Sequence, residues 1–161
     1  MSKQFVFDQV NQLEALCAET CRWLWDNPEV GGQEKQSADH MRNILSKEGF
    51  VIVNEEKMEH AFYAEYGSGK PIIAFLGEFD ALPGLSQKEI PEREALIEGG
   101  AGHGCGHNLL GTASMTAAIA VKRLLESKKL SGTVRFYGCP EEELLSGKVK
   151  MAYYGMFKDC D

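Results

Sequence analysis

The run Gly102-His103-Gly104-Cys105-Gly106-His107-Asn108 sets a thiol and an imidazole two positions apart, with glycine at every second residue of the turn. Thiolate and imidazole suit a borderline-soft divalent metal such as zinc. The glycines let the backbone fold tightly enough to bring both side chains to one point. A helix opening at this turn would favour the thiolate form of Cys105. Carboxylates stand on either side in sequence: Glu78 and Asp80 upstream, and Glu141, Glu142 and Glu143 after Pro140 downstream. The combination suits amide hydrolysis. A metal lowers the pKa of bound water to about 7 and polarises the carbonyl, and a carboxylate beside it moves the proton from water to the leaving amine. Each piece alone has a plainer reading. Cys105 and His107 fit a buried thiol and a loop histidine about equally well, and three glutamates in a row fit a solvated loop.

The elements that must hold these residues follow from spacing. Apolar residues Phe5, Val10, Leu13, Leu16, Cys17 and Leu24 predict helix over 5–26, broken by Asn27-Pro28 and Gly31-Gly32. A second helix is expected from about Glu34 to Lys47, stopped by Gly49. Strands are expected at Phe50–Asn54, Ala61–Tyr66 and Ile72–Leu76, the last two joined as an antiparallel hairpin through residues 67–71. Residues 84–104 read as a long polar loop. A helix over about 107–127 is apolar almost all round, which predicts burial. Thr133–Tyr137 reads as a buried strand. The carboxylates at 78–80 and at 141–143 both follow strand ends, where sites form in α/β sheets. The fold class is therefore α/β: a mixed sheet covered by helices.

The motifs together resemble the aminoacylase-like zinc metallopeptidases, a family of N-acyl-amino-acid amidohydrolases, small-peptide carboxypeptidases and desuccinylases. The resemblance rests on Asn27-Pro28-Glu29 with Gly32-Gln33-Glu34, on Glu78-Phe79-Asp80-Ala81-Leu82-Pro83-Gly84-Leu85-Ser86-Gln87, and on Cys105-Gly106-His107-Asn108-Leu109-Leu110-Gly111. The last two are most similar to the branch containing p-aminobenzoyl-glutamate hydrolase and related dipeptidases. The resemblance implies a zinc-exopeptidase-like catalytic domain and a pair of divalent ions, zinc or manganese. It implies Cys105, His107 and Glu143 as metal ligands, Glu142 as general base, and Asp80 as the acid that orients a ligand. Glu78 stands where more distant relatives carry a ligand histidine. Glu141 adds a third carboxylate, so the residues leave open whether Glu141 or Glu142 is the base. The family's other ligand histidines lie beyond a motif like residues 155–161. The resemblance thus implies that residues 1–161 are the N-terminal part of a longer enzyme, inactive alone, with homodimerisation through a domain absent here. Its substrate would be a small N-acyl amino acid or dipeptide-like amide.

Bulk properties agree with a globular chain. Of 161 residues, 43% are hydrophobic and 25% charged, enough for one core. A formal charge of -7 without a basic stripe argues against nucleic-acid binding. No membrane span and no leader segment are read from the sequence, so a cytoplasmic location is expected, with the five cysteines reduced. Cys17 and Cys21 read as a packed helical pair, and Trp23 and Trp25 as helix-to-sheet packing. His40 and His60 read as surface or core residues, and His103 either as a ligand's partner or as a plain loop residue. Two other functions compete with hydrolysis: a non-catalytic remnant of such an enzyme, and a thiol redox protein. The second is disfavoured because the chain has no Cys-x-x-Cys.

Overall fold

Leu13 interrupts the first expected helix, and the two pieces pack separately. The computed structural model describes residues 3–161, so the first two residues of the expected 1–161 unit lie outside it. The elements run α1 (Lys3–Gln12), α2 (Glu14–Asp26), α3 (Lys35–Lys47), β1 (Val51–Asn54), β2 (Phe62–Ser68), β3 (Ile72–Glu78), α4 (His107–Lys128), β4 (Gly132–Cys139) and α5 (Gly147–Tyr153). On α3 the buried residues Ala38, Met41 and Leu45 recur at helical spacing and face the sheet. Among the described residues no helix is long and apolar enough to cross a membrane.

The sheet order is β1-β2-β4-β3. β2 pairs antiparallel with β4, and β3 pairs parallel with β4, from Ile72 opposite Thr133 to Glu78 opposite Cys139. The expected hairpin between β2 and β3 therefore does not form. β4 lies between them, and residues 67–71 step across two strand spacings, about 10 Å. The reason is burial. All eight residues of β4 are buried, and an interior position pairs both edges of a strand whose two faces are covered by the layers on either side. The glycines at the crossing allow close approach: a Cβ on Gly67 would stand 2.3 Å from the Gly132 carbonyl oxygen.

The two sheet faces are covered differently. Phe62, Ala64, Val134 and Phe136 point to one side and pack with Leu24, Met41, Leu45, Met115, Ala118 and Ile119 of the helical layer. Tyr137 and Cys139 point to the other side, against Met151 of α5 and Met156. There Arg135 is buried and binds Glu65 at 2.6 Å and both carboxylate oxygens of Asp159 at 2.6 and 2.7 Å. Tyr137 donates to the Met156 carbonyl at 2.7 Å. These bonds fasten the last residues over the sheet.

α4 is the element that places the thiol and imidazole. Gly111 lies one turn below His107 on the same helix face, and a Cβ there would be 2.2 Å from the Glu78 carbonyl oxygen. Gly77 of β3 meets it, with a virtual Cβ 3.0 Å from the Gly111 Cα. Helix and strand thus touch backbone to backbone, and this contact sets the distance from His107 to the end of β3. Gly111→Ala gains helix propensity but drives a methyl into a backbone carbonyl. It should destabilise the protein by roughly 1–3 kcal/mol. An unchanged or higher urea midpoint would show that the helix can lift without cost. The first turn of α4 departs from the burial expected of it: Leu109 and Leu110 are exposed.

Candidate metal centre

β3 and β4 run parallel, so the residues after Glu78 and after Cys139 emerge side by side at one edge of the sheet. The turn before α4 arrives at the same place. Gly106, immediately before the helix, has φ +81°, a left-handed conformation that glycine adopts without a Cβ penalty. Cys105 Sγ, a His107 ring nitrogen and a Glu143 carboxylate oxygen come within 4.8 Å of one another. Cys105 is exposed, His107 buried and Glu143 half-buried.

Asp80 organises this cluster from below. It is buried, and its Oδ1 lies 2.9 Å from His107 Nδ1. The Asp80 backbone carbonyl is 3.0 Å from the same nitrogen. Two acceptors at Nδ1 fix the proton there and leave Nε2 free to face the cluster. Nε2 is 3.5 Å from Glu142 Oε2 and 3.9 Å from Glu143 Oε1. The other oxygen, Asp80 Oδ2, accepts the Glu143 backbone N–H at 2.8 Å. One carboxylate thereby orients the imidazole and anchors the glutamate loop. The hydrogen bond to Asp80 raises the His107 pKa above its ordinary value, against burial. Burial pushes the Asp80 carboxyl up, but its bonds to His107 and to the Glu143 N–H more than offset this, and the net shift is downward.

A helix start favours a thiolate at Cys105, but the groups around it act in the opposite direction. The hydrogen bond to Glu143, a little burial, and the charges of Glu143, Glu142 and Asp80 raise its pKa. Three nearby carboxylates outweigh the partial positive charge of a helix N-terminus. The thiolate needs a cation between these groups. Glu143 Oε1 points the same way: it is buried with no hydrogen-bond partner among the described residues, a position that a cation would satisfy.

The three glutamates separate by direction. Glu141 has φ +60°, and its carboxylate turns away to Lys150 and to Ser146 Oγ at 3.2 Å. Glu142 and Glu143 face His107. Glu78, at the end of β3, lies outside the cluster and pairs with Lys148 at the start of α5. His103 is buried, and its Nε2 lies 3.1 Å from the Leu24 carbonyl rather than at a cluster residue. Burial brings its pKa down to about 4, so the ring is neutral near pH 7. His40 stacks on Trp23 with ring centroids 4.0 Å apart. Cys21 accepts from Asn108 Nδ2 at 3.3 Å, and all five cysteines are free thiols. Sequence reasoning missed the loop contacts of Glu34 and the pairing of Lys148 with Glu78. Glu34 stands in the motif at residues 27–34, which names no partner for it, and Lys148 stands in no motif.

Soft and hard ligand atoms gathered past the ends of two parallel strands belong to the architecture of α/β metal-dependent peptidases, and residues 74–161 match peptidase family M20/M25/M40. The chain belongs to this family. It is 46% identical over 160 residues to a subunit of the p-aminobenzoyl-glutamate hydrolase of Escherichia coli strain K12, covering 98% of this chain and 33% of that protein. It is 32% identical over 139 residues to N-acetylcysteine deacetylase of Bacillus subtilis strain 168, covering 84% of this chain and 35% of that protein. A crystal structure described as a dinuclear metal binding peptidase of the M20 family from Bacillus subtilis superposes with a TM-score of 0.70 at 28% identity. The match covers 99% of this chain and 42% of that one. The chain thus spans about a third of the length of the curated relatives it matches.

Proposed function

We propose that this chain carries the metal-holding part of an amidohydrolase that cleaves a small N-acyl amino acid or a dipeptide-like substrate. The observation that supports this most is the convergence of Cys105, His107 and Glu143 within 4.8 Å, with Glu142 beside them. The donor set fits a divalent metal: a thiol, an imidazole with its Nδ1 proton fixed, and a carboxylate oxygen left without a partner. Cys105, His107 and Glu143 would hold it. Zinc or manganese suits this set, and a pair of ions agrees with the description of the Bacillus subtilis relative as dinuclear. A bound cation would supply Lewis acidity, acidifying water and polarising the amide carbonyl.

The chain's own groups do the rest. Glu142, partly exposed beside His107 Nε2, takes the proton of the attacking water and delivers it to the leaving amine. Asp80 keeps His107 aimed. The relatives' names, p-aminobenzoyl-glutamate hydrolase and N-acetylcysteine deacetylase, favour an acylated amino acid as substrate.

The test is metal analysis of the longer enzyme, joined to turnover of p-aminobenzoyl-glutamate and N-acetylcysteine. Cys105→Ala and Glu143→Gln should each lower metal occupancy. Cys105→Ala should also abolish the sulfur charge-transfer band of a cobalt-loaded sample. If both variants keep the full metal load, this assignment of ligands is wrong. A wild-type protein that takes up no divalent cation would point instead to a non-catalytic member of the family.

A further inference from the structure

Glu34 lies just before α3, far in sequence from the glutamate loop, yet none of its surface is exposed. Its Oε1 accepts the backbone N–H of Glu141 at 2.7 Å. Its Oε2 is buried with no partner among the described residues. Asp80 Oδ2 accepts the N–H of Glu143. Two buried carboxylates from separate parts of the chain therefore hold alternate backbone N–H groups, and Glu142 is the residue between them.

The turn they hold is a strained one. Glu141 and Leu145 both have positive φ, at +60° and +56°, in a region that L-residues other than glycine rarely occupy. The loop closes on itself through Leu145 N–H to the Glu142 carbonyl at 2.7 Å and Gly147 N–H to the Glu141 carbonyl at 3.2 Å. The left-handed Glu141 sends its own side chain to Lys150 and turns the next one toward His107. An extended residue there would reverse this alternation.

Glu34 is itself held firmly. Glu29 accepts the Ser37 N–H and hydroxyl at 2.7 Å each, capping the start of α3. The Glu29 carbonyl accepts the Ala81 N–H at 2.7 Å, next to Asp80. We propose that Glu34 is a positioning residue, whose acceptance of the Glu141 N–H maintains the left-handed turn that aims Glu142 at His107. The inference rests on the reading of Glu142 as the base of a metal-dependent hydrolase.

The side-chain chemistry suggests which substitution keeps the function. Burial pushes the Glu34 carboxyl up to about 7, against the opposing effect of the Glu141 N–H. A neutral group with the same carbonyl acceptor already resembles one of its states, so glutamine should substitute for it. Leucine fills similar space without an acceptor.

The test uses the longer enzyme with p-aminobenzoyl-glutamate, with kcat, KM and metal content measured on folded protein. Glu34→Leu should lower kcat by about 10- to 100-fold, the scale of a misplaced reacting group, with KM and metal content near wild type. Glu34→Gln should stay within about threefold of wild type, because it preserves the acceptor that holds Glu142 in register. A residue needed only for folding would lower the melting temperature and leave kcat per folded, loaded molecule unchanged. That result for Glu34→Leu overturns the proposal, as does a loss in Glu34→Gln equal to that in Glu34→Leu. If the leucine variant does not fold, Glu34→Asp carries the test. It keeps the carboxylate but falls short of the Glu141 N–H, so a normal kcat there overturns the proposal. Wild-type enzyme without turnover overturns the hydrolase reading and this inference together, whereas an active wild type with an active Glu34→Leu overturns the inference alone.

Discussion

Glu142→Gln is expected to lower kcat by roughly a hundred- to ten-thousandfold while leaving the metal content of the proposed amidohydrolase unchanged. Glutamine has nearly the same shape and still accepts a hydrogen bond, but it cannot take the proton of the attacking water. Its neighbours should behave differently, because the loop points each one elsewhere. Glu143 faces Cys105 and His107 with an unpartnered buried oxygen, so its loss should appear as lost metal. Glu141 is engaged by Ser146 and Lys150, away from His107, so Glu141→Gln should leave kcat within about threefold of wild type, the general-base contribution being untouched. The measurement is metal content and kcat on the three variants side by side. If Glu141→Gln instead abolishes turnover while Glu142→Gln does not, the base is one residue upstream, and Glu142 does not serve the attacking water.

The resemblance implied Glu142 as base and Glu143 as ligand, but the residues themselves left this ordering open. Three like residues in a row carry no periodicity, and the positive φ at Glu141 that separates them depends on contacts with Glu34 and with the closed loop at 145–147. The thiol and imidazole were legible, because glycine at every second position confines where two ligand atoms can go. The ends of β3 and β4 were legible too, since both strands are short apolar runs followed by acid. The order of the strands was not. A glycine- and proline-containing link between two strands favours a hairpin locally, and the winning term is global: β4 is buried on both faces, apolar on one and paired through Arg135 on the other, and takes the interior place. Leu13 breaks the first helix without any glycine or proline to announce it. α5 escaped because Gly147 opens it and only Met151 supplies a fully buried large side chain. The resemblance implied that Asp80 orients a ligand, and the folded chain adds the second of its two partners, the Glu143 N–H beside His107.

Those two partners make Asp80 the residue whose replacement should weaken metal binding most without touching a ligand. Asp80→Ala leaves the His107 ring free to turn and the Glu143 N–H without its acceptor. A loss of about 10- to 100-fold in metal affinity is the usual scale for removing such a support. Asp80→Asn should be at least as damaging. Its amide can present an oxygen to one of the two N–H groups, but its NH2 then meets the other. If the NH2 faces His107, Nδ1 must become an acceptor and the proton moves to Nε2, the nitrogen that faces Cys105 and Glu143. That tautomer cannot bind a cation through Nε2. The same pair governs pH behaviour in the metal-free protein. The raised His107 pKa means that its charged form contributes stability fully below its unfolded value of about 6.5, and this is lost as pH rises through the folded value. The lowered Asp80 pKa sets the acid side: its contribution is lost as pH falls through the folded value. Asp80→Asn removes both effects, so stability between those limits should drop and the fall on either side should disappear. Chelator competition for the metal, with nitrogen NMR of the His107 tautomer, separates the cases. Wild-type affinity in Asp80→Asn, with the proton still on Nδ1, would mean that the backbone carbonyl of residue 80 alone holds the ring, and that the carboxylate serves only the Glu143 loop.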